Sequence, residues 1–230
     1  MNAHYDIVIH GAGIPGLALA LSVFTGSGTA KPRILLLDRH ELKPDPAVEQ
    51  QPSSVEDFDS RVFALTYASK RLLQQIHTWP GDNALRVFPY EQMHVWDAGG
   101  SGQVHFDAAE LGTPSLGYIV EARVIHHWLI QAIQQQAGIE MLAADALQEI
   151  NQQPNSLQLK LSSGKTINTQ LLIGADGAQS HVRNLAGIEV IGWPYHQQAI
   201  VATVETEQEH AATAWQRFLP EGPLAFLPMH

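Results

Sequence analysis

The stretch YDIVIHGAGIPGLALALSVF, residues 5–24, passes from a β-type run through three closely spaced glycines into an apolar segment long enough for a buried helix. Pro15 agrees with a helix start there, because a proline in the first turn gives up an N–H that has no intrahelical partner. Gly11, Gly13 and Gly16 match G-x-G-x-x-G between a strand and a helix, the setting that gives the pattern physical meaning. The first glycine permits a tight turn, the second lets a pyrophosphate approach the backbone, and the third lets helix and strand pack closely. The helix N-terminus then presents N–H groups and a positive dipole end to phosphates.

The next apolar segment, RILLLD, closes on Asp38, 22 residues beyond Gly16, the usual place for a carboxylate that binds an adenosine ribose. Strand, glycine turn, helix, strand and terminal Asp form one β-α-β unit and predict an ADP-containing cofactor, NAD or FAD. A nicotinamide dehydrogenase normally continues into further β-α-β units, whereas this chain inserts other elements. Residues 42–58 are polar and proline-rich and predict a surface loop or flexible lid. A helix is expected from about Ser69, with Leu72, Leu73 and Ile76 at helical spacing. EQMHVWDAGG and QVHFDA predict two short strands around a Gly-rich turn. Residues 123–136 carry the clearest helical repeat, stopped by Gly138, and IEMLA, SLQLKLS and the run ending at Ile173 predict strands. Toward the end, QQAIVATVE, TAWQRFL and GPLAFL are β-like.

At 230 residues and 45% hydrophobic, the chain is long enough for one large or two smaller cores. A net charge of -10 with 13 Lys+Arg argues against a nucleic-acid partner, since phosphate binding needs clustered cations. The absence of cysteine excludes disulfides, thiolate catalysis and Cys-type zinc sites. No apolar run reaches the roughly 18 residues a membrane span needs, and a basic leader is lacking, so the expectation is a soluble chain. GPLAFLPMH reads as a strand cut short, so a fragment of a longer protein is expected. No metal site is expected, because the adjacent His126 and His127 point to different helix faces. Ser180 lacks a G-x-S-x-G elbow, which disfavours a hydrolase, and Trp96, Trp193 and Trp215 are expected in the core.

A second turn follows the strand QLLIGAD. In LLIGADGAQSHVR, residues 171–183, Asp176 could accept hydrogen bonds from ligand hydroxyls, Gly177 allows close approach, and Ser180 and Arg183 share a helix face. The residues alone fit equally well a turn opened by Asp176, a helix capped by Ser180 and a solvated Arg183. The pattern D-G-x-x-S-x-x-R, downstream of Gly11, Gly13, Gly16 and Asp38, resembles the second fingerprint of class A flavin-dependent aromatic hydroxylases. In that family the loop lies beside FAD and serves the passage of NAD(P)H to the flavin. SRVFALTYAS, GYIVEARVI, YHQQAIVATV and AWQRFLPEGPLAFLPM resemble more narrowly the ubiquinone-biosynthesis hydroxylases, a likeness that covers nearly the whole chain from Tyr5.

The resemblance implies an α/β fold with a Rossmann-like FAD-binding domain of the glutathione-reductase/p-hydroxybenzoate-hydroxylase type. It assigns residues 1–84 and 112–187 to that domain, and 85–111 and 188–230 to an incomplete, mainly β substrate domain. Cofactor-binding residues would be Gly11, Gly13, Gly16, Asp38, Arg61, Arg123, Asp176, Gly177 and Arg183, with no side chain acting as a covalent catalyst. FAD would be reduced by NAD(P)H, and O2 would add to give a C4a-hydroperoxide that hydroxylates the ring of a polyprenylated phenol or quinol. The implied setting is cytoplasmic and peripheral to the inner membrane, at a membrane surface or in a multiprotein ubiquinone-biosynthesis complex. The chain departs from the family at Glu121-Ala122, where Glu-Asn is common, and lacks a later Gly-Asp motif that closes on the flavin. Weak FAD retention by the 230 residues alone is therefore expected. The alternatives are another FAD-dependent oxidoreductase of the same fold and a non-catalytic scaffold in a biosynthetic complex.

Overall fold

The computed structural model describes residues 3–229. Its strands in chain order are β1 (Ala3–His10), β2 (Ile34–Leu37), β3 (Val62–Leu65), β4 (Val87–Tyr90), β5 (Gln92–Asp97), β6 (Gln103–Asp107), β7 (Gly117–Glu121), β8 (Ile139–Leu142), β9 (Leu147–Gln153), β10 (Ser156–Leu161), β11 (Thr166–Gly174), β12 (Thr213–Leu219) and β13 (Gly222–Phe226). The helices are α1 (Ile14–Gly26), α2 (Tyr67–Gln75), α3 (Ala122–Gln134) and α4 (His181–Leu185). By packing, the chain divides into two compact units, Met1–Pro44 with Gln75–Thr78 and His126–Ala199, and Asp45–Gln74 with Trp79–Ile125 and Ile200–His230. This is a division by contact, whereas the boundaries expected from sequence are a division by role.

The first unit is built on a six-stranded sheet of order β8-β2-β1-β11-β10-β9. Its four strands β8, β2, β1 and β11 are mutually parallel, and β10 and β9 add an antiparallel edge. All four residues of β2 are buried, as a central parallel strand requires, which explains why ILLL shows no alternation. The apolar α1 buries Gly16, Leu17, Ala20 and Leu21, and α3 sinks Leu129, Ile130 and Ile133. On one sheet face, Val8, Leu35, Leu37, Leu159, Leu161 and Val182 form a core cluster. Burying each such side chain stabilises the fold by about 1.5–3 kcal/mol. Gly138, in the turn between α3 and β8, has no room for a side chain, because a Cβ there would overlap the Phe24 ring.

The second unit holds a sheet of order β3-β7-β4 and another of order β13-β12-β5-β6. Pro89 lies in β4, an edge strand, where the missing N–H costs no ladder bond. The Pro-rich stretch expected as a flexible lid contains two 3-10 turns, Pro46–Glu49 and Val55–Asp57, each capped by its own side chains. It is also gripped by buried arginine hydrogen bonds described below.

Three expectations are corrected. QQAIVATVE forms no strand, and Ile200 stands 94% exposed. No edge among the described residues pairs with this segment, and a lone strand leaves its backbone groups without partners. Trp193, expected in the core, is 72% exposed, and Trp215 is partly exposed. In α2, Leu73 is buried and Ile76 just beyond the helix is buried too, while Leu72 faces out. No helix of the described residues is long and apolar enough to cross a membrane.

Candidate cofactor site

Strand β1 ends at His10, and the chain turns at once. Gly11 has φ +108, and its N–H donates to the Leu37 carbonyl at 2.8 Å. A Cβ on Gly11 would overlap the Ala175 carbonyl, and a Cβ on Gly16 would overlap the Gly11 carbonyl. Those two glycines are therefore required by the packing of the turn itself. Gly13 differs: it is exposed, has φ -69, and a Cβ there would meet only Pro15 Cδ at 3.8 Å. Its absent side chain leaves open space at the N-cap of α1, which has no side-chain cap. An anion seated there would meet backbone N–H groups and the positive end of the helix dipole.

Ala12, between the first two glycines, is fixed on both sides. Its N–H donates to Asp38 Oδ2 at 2.7 Å, and its carbonyl lies 3.0 Å from His126 Nε2, which acts as donor in the matching tautomer. Asp38 also accepts from the His40 N–H at 2.8 Å. Burial pushes the Asp38 carboxyl up, but hydrogen bonds from Ala12 and His40 outweigh it and hold the group below the usual carboxylate range. The carboxylate is thus ionised, an acceptor, and placed at the tip of β2 beside the glycine turn.

The second turn stands next to the first. β1 and β11 are neighbouring parallel strands with His10 opposite Gly174, and the Ala175 N–H donates to the His10 carbonyl at 2.7 Å. Asp176 accepts from Ser180 Oγ at 2.5 Å, from the His181 N–H at 2.7 Å and from the Val182 N–H at 3.1 Å. Ser180 caps α4 by accepting from the Arg183 N–H, and Arg183 Nη2 donates to the Ala178 carbonyl at 2.9 Å. The turn-and-cap geometry is therefore realised, with Asp176 shaping the loop. Gly177, at φ +84, is exposed at its tip.

Arg61 and Arg123 belong to the second unit. The Ala122 N–H donates to the Arg61 carbonyl at 2.8 Å, and the exposed Arg61 side chain lies over the Phe63 ring. Arg123 Nε pairs with Glu121 Oε2 at 3.1 Å, and its Nη2 donates to the Asp57 carbonyl. Glu121 is 1% exposed and meets Arg86, 2% exposed, through Oε1 at 2.7 Å. Arg86 further donates to the carbonyl of Asp57 at 3.0 Å. One buried carboxylate thus orients two guanidiniums and holds the 45–61 segment to the end of β7. Sequence reasoning missed Glu121, Arg86 and His126. Only Glu121 left a signal, as a carboxylate two positions before an arginine of interest.

A parallel sheet, a glycine turn opening an uncapped helix, and an ionised carboxylate at the tip of the next strand define a dinucleotide-binding α/β protein. The chain belongs to the FAD binding domain family, which it matches over residues 4–229. It is 35% identical to the 3-demethoxyubiquinol 3-hydroxylase of Escherichia coli K12, over 99% of this chain and 55% of that protein. It is 34% identical to the mitochondrial ubiquinone biosynthesis monooxygenase COQ6 of Xenopus tropicalis, over 99% of this chain and 49% of the relative. The chain thus spans about half the length of the curated relatives it matches. Among solved structures it resembles PqsL, a probable FAD-dependent monooxygenase from Pseudomonas aeruginosa, with TM-score 0.63 and 20% identity over 84% of this chain and 48% of that one. It also resembles the p-nitrophenol 4-monooxygenase PnpA of Pseudomonas putida, with TM-score 0.59 and 14% identity over 81% and 43%. These two likenesses concern the fold.

Proposed function

We propose that this chain is the FAD-holding part of a monooxygenase that hydroxylates the ring of a polyprenylated phenol or quinol in ubiquinone biosynthesis, with NAD(P)H and O2 as co-substrates. The observation that carries the proposal is the pairing of β1 with β11, which sets the glycine turn and the Asp176 turn side by side. Identity of 35% along 99% of the chain to a demethoxyubiquinol hydroxylase supports the substrate class. In this account residues 1–84 and 112–187 serve the cofactor, and 85–111 with 188–230 contribute to the substrate side.

The residues present fit FAD. The open space at Gly13 and the uncapped start of α1 would take the diphosphate, and Asp38 the adenosine ribose. Asp176, Gly177 and Arg183 would serve the second turn, and Arg61 and Arg123 the flavin side of the cofactor. Bound FAD supplies the redox and oxygen chemistry, and the protein supplies positioning and exclusion of water. Asp38 and His126 hold the turn in a fixed shape, so little reorganisation accompanies binding. In the second unit, Trp215, Leu224 and Phe226 are partly exposed on one face of the β13-β12-β5-β6 sheet, an apolar surface suited to an aromatic ring and a prenyl tail. Such a substrate partitions into lipid, which favours work at the inner membrane surface or within a multiprotein complex on its cytoplasmic side.

The test uses a protein carrying this chain at the length of its relatives, supplied with FAD, NAD(P)H, a polyprenylated phenol and 18O2. One labelled oxygen on the product ring, with one NAD(P)H consumed per product, is the expected outcome. NAD(P)H oxidation without label in any product would point instead to another FAD-dependent oxidoreductase, and absence of a yellow FAD complex would overturn the assignment.

A further inference from the structure

His10 is the last residue of β1, and its side chain is 8% exposed. Its backbone is fixed by Leu37 on one neighbouring strand and Gly174 on the other. Ring atom Nδ1 lies 3.2 Å from Asp176 Oδ2, at ion-pair distance but without hydrogen-bond alignment, and neither ring nitrogen has a hydrogen-bond partner. A buried imidazole in that condition destabilises the fold relative to an apolar side chain of similar size. It sits where the two cofactor turns meet, its ring against the Asp176 carboxylate.

We propose that His10 is a positioning residue that sets the Asp176 turn against the glycine turn, and that it loosens the second turn when it takes up a proton. This rests on the assignment of both turns to one FAD. Asp176 Oδ2 already receives the N–H groups of His181 and Val182. A charged His10 competes with them for the same oxygen and draws the carboxylate away from the start of α4. Three ionisable groups face the imidazole: Asp176 after β11, Asp38 after β2 and His181 on α4. The two carboxylates favour its protonation and His181 opposes it, while burial is the largest influence and keeps the ring neutral, with its pKa below the ordinary histidine value. Neutral His10 is therefore the working form at neutral pH, and protonation comes on the acid side of about 6.5.

The experiment measures FAD affinity of a protein carrying this chain at the length of its relatives, by flavin fluorescence from pH 7.5 to 5, with the His10 ring carbon followed by NMR. Wild type is expected to lose roughly three- to tenfold in affinity across the range in step with the His10 titration. His10→Leu is expected to bind several-fold more weakly at pH 7.5 and to show no acid step. His10→Gln keeps a donor and gains no proton, so it should hold affinity within about twofold and stay flat with pH. If His10→Leu does not fold, the His10→Gln profile decides alone. An acid step that persists in the variants overturns the proposal while leaving the FAD assignment intact. Failure of the wild type to bind FAD at any pH would remove both.

Discussion

Gly13→Ala and Gly16→Ala are expected to fail in opposite ways. At Gly16 a methyl group would overlap the Gly11 carbonyl and press on Ala175 Cβ at 3.3 Å, and neither a backbone oxygen nor a neighbouring strand end can step aside. The turn must open or α1 must lift from the sheet, a loss of about 3 kcal/mol or more. At Gly13 the backbone suits any residue and the added methyl meets open space. The fold should lose about 1 kcal/mol or less, the difference between glycine and alanine at an N-cap. The same methyl occupies the place where a diphosphate would lie, so FAD affinity should drop at least tenfold. Urea unfolding and flavin fluorescence on both variants separate the two effects. A Gly13→Ala chain that binds FAD as tightly as wild type would show that the diphosphate lies elsewhere.

The second large effect belongs to Glu121. Removing its carboxylate by Glu121→Ala leaves Arg86, 2% exposed, as a buried uncompensated charge and frees Arg123 from its orienting partner. A loss of about 3–5 kcal/mol is expected from breaking a buried pair on one side. The double variant Arg86→Met with Glu121→Met removes both charges and should recover most of that loss, because the desolvation of two ions is removed along with their attraction. Denaturant unfolding of the single and double variants measures this. A double variant more destabilised than Glu121→Ala would mean that the stabilisation resides in the carbonyl contacts of Arg86 with the 45–61 segment and not in the ion pair.

The elements around the first turn were legible because each followed a local rule. Three glycines, Pro15 at a helix start and the all-apolar ILLL required no distant information to interpret. Asp176 was legible only through its company, since D-G-x-x-S-x-x-R describes a capped helix as well as a ligand turn, and in the structure it is a capped helix set beside the glycines. The sheet β3-β7-β4 left little trace, because β4 is four residues with a proline and its partner lies about 30 residues away. Arg86 and Glu121 are separated by 35 positions, so their pairing is written in tertiary structure and a lone arginine reads as surface. His10 ends a run of apolar strand residues, and nothing in the run shows that the next strand brings a carboxylate to its ring. Trp193 and Ile200 reversed expectation for the opposite reason: their hydrophobicity predicted burial, and among the described residues no element covers them.

One molecule bridging two turns is the central claim, and amide NMR of the chain during FAD titration tests it most directly. Amides of Gly11–Gly16 and of Asp176–Arg183 are expected to shift together along a single binding curve, with His40 beside Asp38 following them. Shifts confined to one turn, or two curves with different midpoints, would contradict it.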